Sequence, residues 1–418
     1  MSRELVDSNI YYLGKIPNNW ISNKYKYFSD LRMGETILAS STVSEGIPIY
    51  SATKEDKIFG YVKEANVKLK KGELVIPARG NSIGYVSIVK EKEATCTQTT
   101  ICSYNIHDIN NKFLYYSILG LNNEWFKFDG SAIPQITVEQ VKDCILAIPP
   151  ENEQELIVEY LDNRVLLIDE TIENNKKEIE LLEEYKNNIL DTLCLKGICK
   201  RDFKNSNHYS IDKIPSDWNF QKTLGVLNMP ITDGPHLSPN FVSDGIPFIS
   251  ADAIKDGKID FSRKRGDISE KDFLEFSKKY TPKLHDIYMI KSGATTGKIG
   301  IVETTNKFTI WSPLAVFRVN EQIMNYKYLY YLLQTNFYQK QVQLNWSYGT
   351  QQNIGMRVLE KLKVLVPSLV EQEQIVKEID KKVVKLDKVI EYRKQIIEKL
   401  EEYKKSLIYE AVTGKIEV

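Results

Sequence analysis

The chain has 418 residues, 42% hydrophobic and 27% charged, with 56 basic and 56 acidic side chains. That length points to two or three domains, and the composition excludes a disordered or collagen-like chain. No apolar run reaches membrane-spanning length and Met1-Ser2-Arg3-Glu4 opens no signal-peptide core. Cys96, Cys102, Cys144, Cys194 and Cys199 lack the spacing of a disulfide framework or zinc site, so a reducing, cytoplasmic setting is expected.

In chain order, residues 1–150 read as a first globular part that mixes short strands with helices. Leu13-Gly14-Lys15-Ile16-Pro17-Asn18-Asn19-Trp20 opens it, and Gly46-Ile47-Pro48-Ile49-Tyr50 follows. Leu74–Pro77 reads as a strand entering a polar loop, Gly80-Asn81-Ser82-Ile83-Gly84, and Tyr85–Val89 as the strand leaving it. Phe113–Leu121 has helical spacing, aromatic on one face. Residues 151–200 then form a long helix that carries a net charge of −7. Such an acidic rod is a poor partner for phosphates, so contacts with nucleic acid are expected from the globular parts.

The remainder repeats this plan. Trp20 returns at Trp218, Gly46-Ile47-Pro48 at Gly245-Ile246-Pro247, and Gly80–Gly84 at Gly293-Ala294-Thr295-Thr296-Gly297. Residues 201–368 form a second globular part with a net charge of +6, lengthened chiefly across 252–283. Ile287–Ile290 and Ile299–Val302 flank its glycine loop as strands, and Tyr328–Phe337 reads as a helix. Residues 369–418 repeat the long helix.

Both long helices carry apolar residues at alternating steps of three and four, the pattern of a coiled-coil seam. The central positions are Ile168, Ile172, Asn175, Ile179 and Leu182 in the first, and Leu386, Ile390, Arg393, Ile397 and Leu400 in the second. Pairing within one chain is the simplest way to bury both stripes. If the helices run antiparallel, Asn175 and Arg393 meet near the middle and set the register; the alternative is two unrelated exposed side chains. The expected fold is α+β, with two globular domains, two long antiparallel helices and a pseudo-two-fold internal repeat.

Chemistry-bearing patterns are sparse. Gly293–Lys298 is no phosphate loop, because three residues rather than four separate the glycines and a strand follows. The loop is nevertheless rich in donors: Lys291, Ser292, Thr295, Thr296 and Lys298 here, and Arg79, Asn81 and Ser82 in the first copy. Such groups suit base-edge and phosphate contacts. Arg263-Lys264-Arg265, near Lys255 and Lys258, reads as a phosphate patch or a solvated face. Asp233-Gly234-Pro235-His236 reads as an acid–base pair or a plain turn. His107, His208, His236 and His285 stand apart, which argues against a metal centre. No catalytic constellation or cofactor fingerprint is expected.

Taken together, Ile-Pro-x-x-Trp at the head of each half, the Gly-Ile-Pro segments and the Pro-x-x-x-Glu-Gln approach to each helix carry a resemblance. They resemble the specificity subunit of Type I restriction–modification enzymes, as does Thr232-Asp233-Gly234-Pro235-His236. In the first half Met33-Gly34-Glu35-Thr36 stands where the Asp-Gly-x-His stretch would fall. The resemblance implies two target-recognition domains, each binding half of a split double-stranded DNA sequence, with Asp233 and His236 among the DNA-facing residues. It also implies that the helices space the domains and dock two methyltransferase subunits, and through them restriction subunits. Methyl donor and ATP then belong to partners, and the chain itself holds no cofactor and is no enzyme. A seam of about 36 residues spans about 54 Å, longer than one DNA turn, so an unread spacer between half-sites is expected. The other class of reading is a coiled-coil adaptor between proteins, without DNA.

Overall fold

The computed structural model describes residues 3–53, 58–106, 109–126, 134–348 and 352–418, so His107 lies outside the described residues. The chain forms two compact units, Met1–Lys176 with Arg393–Val418, and Lys177–Tyr392.

In the first unit, Ser29–Met33, Thr100–Asn105, Leu74–Pro77 and Ser87–Ile88 pair in that order as an antiparallel sheet. A second sheet orders Gly60–Val62, Ile47–Tyr50, Glu93–Cys96 and Leu69–Lys70, with Ile47–Tyr50 and Glu93–Cys96 parallel. The helix Asn111–Trp125 starts where the Asn110 side chain accepts from the Lys112 and Phe113 amides. It buries Phe113, Leu114, Ile118 and Leu121 against Trp20 and Tyr25, and this core continues into Ile157, Leu161, Ile168, Leu407 and Ile408.

The second unit repeats the scheme. Its larger sheet orders Thr232–Asp233, Leu314–Phe317, Ile287–Ile290, Ile299–Ile301, Lys258–Ile259 and Ile254–Lys255. The smaller one orders Phe241–Val242, Gly266–Ile268, Ile246–Ile249 and Thr309–Ile310. Trp218, Tyr328 and Phe337 pack with Leu190, Leu193, Ile375 and Ile379. Where the spacing predicts one helix over Tyr328–Phe337, two form: Tyr326–Leu332 and Asn336–Asn345. Thr335 is the cause. Its hydroxyl donates to the Leu332 carbonyl at 2.6 Å and accepts from the Tyr338 amide, so it closes one helix and caps the next.

The long helices are Glu151–Lys196 and Leu369–Val412. Within the first unit, residues 151–176 run antiparallel to 393–412: Arg393 donates to Asn175 Oδ1 at 3.0 Å and Lys404 to Asp169 at 2.7 Å. Within the second, residues 177–196 run antiparallel to 369–392, with Lys186 bound to Asp387. Ile168, Ile172, Asn175 and Ile390 are buried, and Ile179, Leu182, Leu386, Arg393, Ile397 and Leu400 are half-buried. The two polar residues at the middle of the seams meet each other.

The repeated motifs explain one another. In the first unit Trp20 Nε1 donates to Glu153 Oε2 at 3.0 Å and Arg3 pairs with the same carboxylate. Gln154 Nε2 donates to the Pro149 carbonyl at 3.0 Å, and Gln154 Oε1 accepts from the Asn110 amide at 2.9 Å. In the second unit Trp218 donates to Glu371 at 3.1 Å beside Arg201, while Gln372 joins Pro367 and the Asn325 amide. A carboxylate in the first turn also suits the positive end of its helix. Each Pro-x-x-x-Glu-Gln is therefore the socket, and each Ile-Pro-x-x-Trp the plug. Gly197 (φ 75°) and Gly414 (φ 66°) turn the chain left-handed after the long helices, where other residues would be strained.

Candidate nucleic-acid interface

In the second unit, Thr232–Asp233 and Ile287–Ile290 both run antiparallel to Leu314–Phe317. Asp233 and Met289 both face Ala315, so the two C-terminal strand ends leave the sheet together. This register brings Asp233, His236 and Lys291 to one place. Asp233 is fully buried, with Lys291 Nζ and His236 Nε2 each 3.3 Å away from Oδ2. Lys279, just beyond the helix Glu270–Ser277, pairs with Oδ1 and donates to the Gly234 carbonyl at 2.9 Å. A carboxylate out of water is tolerable only with such company. Gly234 is obligatory, because a Cβ there would lie 2.0 Å from the Ile310 carbonyl oxygen. The next residue after Ile310, Trp311, carries the Arg265 guanidinium 3.7 Å from its ring centre.

The glycine loop is a hairpin turn. The Gly297 amide donates to the Ile290 carbonyl at 2.8 Å and Ile290 to Lys298 at 2.9 Å, closing Ile287–Ile290 onto Ile299–Ile301. Thr296 spends its hydroxyl on the Gly293 carbonyl at 2.7 Å, whereas Thr295 and Lys298 are exposed. Ser292 bridges to Asn353 beside the half-buried Lys291. The basic run divides: Arg263 faces Asp260 at 3.6 Å and Lys264 pairs with Asp267 at 2.6 Å, leaving Arg265 to join Trp311.

The first unit has the same backbone at this edge. Arg79 bridges to Gln135 as Ser292 does to Asn353, and the Gly80 amide donates to Pro134 as Gly293 does to Gln352. Gly34 again blocks a side chain, its Cβ position lying 2.3 Å from the Thr97 carbonyl oxygen. The chemistry differs. Met33 and Ala78 stand where Asp233 and Lys291 stand in the second unit. Arg79 and Asn81 are exposed, but Ser82 is buried and donates to the Ala52 carbonyl at 3.0 Å. Glu35 accepts from Thr95 Oγ1 at 2.7 Å and from the Asn66 and Val67 amides. Burial alone would raise its pKa, yet these donors together hold it below the usual value.

Local spacing located the glycine loops and the stretch that holds Glu35, but missed Lys279 and Trp311. Lys279 is 46 residues from the carboxylate it pairs with, and Trp311 meets Gly234 only through a close backbone approach in the folded chain. The remaining described histidines lie elsewhere: His208 stacks on Tyr209 and lies tilted against Phe220, and His285 stacks on Tyr326 at 3.7 Å. Among the described residues no cluster of His, Cys, Asp or Glu is suited to a metal ion, and no helix is long and apolar enough to cross a membrane.

Two repeated folds with matching backbone edges and unlike side chains make this an internally duplicated α+β protein. The family model for the Type I restriction modification DNA specificity domain matches residues 17–184 and 215–402, and the chain belongs to that family. It is 25% identical over 368 residues to the Type I restriction enzyme MjaVIII specificity subunit of Methanocaldococcus jannaschii, covering 86% of this chain and 83% of that one. It is 21% identical to the Type I restriction enzyme EcoBI specificity subunit of Escherichia coli, covering 99% and 90%. A solved chain from a study of complex assembly and conformational transition of the type I R-M system has a TM-score of 0.67 at 16% identity. That match covers 96% of this chain and 100% of the solved one, a likeness of fold.

Proposed function

We propose that this chain is the DNA specificity subunit of a Type I restriction–modification complex. Residues 1–150 and 201–368 each read one half of a bipartite DNA target. The long helices, 151–200 and 369–418, set the spacing and dock two methyltransferase subunits, through which restriction subunits join. The chain recognises and does not catalyse; methyl transfer and ATP-driven steps belong to the partners, and the place of action is the cytoplasm.

The observation that carries this reading is the repeat itself. Backbone pairings around Arg79 and Ser292 are the same, while the side chains they display differ. Equal scaffolds with unequal surfaces suit two unequal half-sites. In the second unit Arg265, Lys291, Ser292, Thr295, Lys298 and His236 are the candidate DNA contacts, with Arg263, Lys264 and Thr296 beside them. In the first unit Arg79 and Asn81 are the candidates.

Footprinting the chain together with its methyltransferase partner tests the proposal. The expected result is two protected patches with a gap between them. Absence of protection even at low salt would favour a protein adaptor instead.

A further inference from the structure

Asp233 carries more positive company than it needs. Its Oδ1 is bound by Lys279, which is also tied to the Gly234 carbonyl. Its Oδ2 is buried and without a hydrogen bond, although Lys291 Nζ and His236 Nε2 each stand 3.3 Å away. Two ammonium groups against one carboxylate leave a unit of positive charge even with His236 neutral. The Lys291 side chain is only 13% exposed, so its head group has lost most of its water. A neutral base edge compensates that loss poorly and an anion compensates it well.

We propose that Asp233 is a positioning residue that aims Lys291 and His236 jointly at one DNA backbone phosphate. The inference rests on the DNA reading proposed above. Phosphate contacts fix register without reading sequence, which suits a group as recessed as Lys291. The first unit has no such grip, because Met33 and Ala78 occupy the corresponding positions. The two domains therefore hold the duplex by different means, although their backbones agree.

The experiment uses the full chain in complex with its methyltransferase partner and a duplex bearing the motif that the complex methylates. Affinity is measured from 50 to 200 mM salt for the parent, Lys291→Met, Lys291→Arg and Asp233→Asn. Losing one phosphate contact lowers the slope of log affinity against log salt by about 0.9, so the loss over this fourfold range shrinks by about 3.5-fold. That change is expected in Lys291→Met and Asp233→Asn, uniformly across base substitutions in the target, with Lys291→Arg keeping the parental slope. A merely structural Asp233 would lower the melting temperature and leave the slope of the folded complex unchanged. If Asp233→Asn fails to fold, Lys291→Met decides, since it leaves the Asp233–Lys279 pair in place. An unchanged slope, or relaxed discrimination at one base pair with the slope intact, overturns the inference. A parent complex that protects no DNA overturns the reading beneath it instead.

Discussion

Glu153 and Glu371 receive an indole N–H and a guanidinium each at the first turn of a long helix. Glu371→Gln keeps the shape and removes the charge that Arg201 pairs with. The expected cost is about 1–3 kcal/mol, the penalty for a buried donor left short of its partner, measured as a shift in denaturant midpoint. Gly234→Ala forces a Cβ into the Ile310 carbonyl, and the strand end must move. A loss of about 2–4 kcal/mol is expected, in the range of severe single substitutions, read as a lower melting temperature. Glu35 has a depressed pKa in the folded state, so its contribution is present above the ordinary carboxylate pKa and fades as pH falls through the lower folded value. Glu35→Gln should therefore lose less stability than the parent between neutral pH and pH ~3, in denaturant midpoints taken across that range. At this scale the sequence showed which residues recur, but not what they touch. Trp20 and Glu153 lie 133 positions apart, and no local spacing announces that bond.

The long helices were the most legible elements, because burial along a helix is periodic and the period is written in the residues. Matching interruptions in the two seams made the meeting of Asn175 with Arg393 one of two readings, and the structure shows the two joined. A double-mutant cycle over Asn175→Leu and Arg393→Leu should return a coupling of about 0.5–3 kcal/mol, the range for contacting residues. Each single change should destabilise by removing the bond between them, while the double variant recovers part of the loss. A coupling of zero in denaturant titrations would mean the two side chains act separately. Strand positions beside the glycine loops were legible, but sheet order was not: pairing Thr232–Asp233 with Leu314–Phe317 joins segments some eighty residues apart. The break at Thr335 was missed for the opposite reason. One hydroxyl outcompeted a helical pattern that continued on both sides.

For the whole molecule, the spacing proposal has a direct test. Adding one heptad to each long helix beside Asn175 and Arg393 preserves the phase of the seam and adds about 10.5 Å of rise. Sequencing methylated DNA from a host carrying the variant and its partner should then show the original motif unmodified and any new motif with a longer gap. Modification at the old spacing would mean that the helices are not the ruler. The duplicated plan was plain in the sequence, since Trp, Gly and Glu-Gln landmarks return in order. What was not plain is that the first unit is made of two stretches of chain, Met1–Lys176 and Arg393–Val418. Leu407, Ile408, Ala411 and Val412 are buried in its core, and the Tyr409 hydroxyl donates to the Tyr12 carbonyl at 2.7 Å. On the ribosome, where chains emerge from the N-terminal side, the first unit cannot complete its core until residues 393–418 have been made, while the second closes from one unbroken stretch. The nascent protein thus matures in reverse, and its earliest segment stays open to chaperones longest.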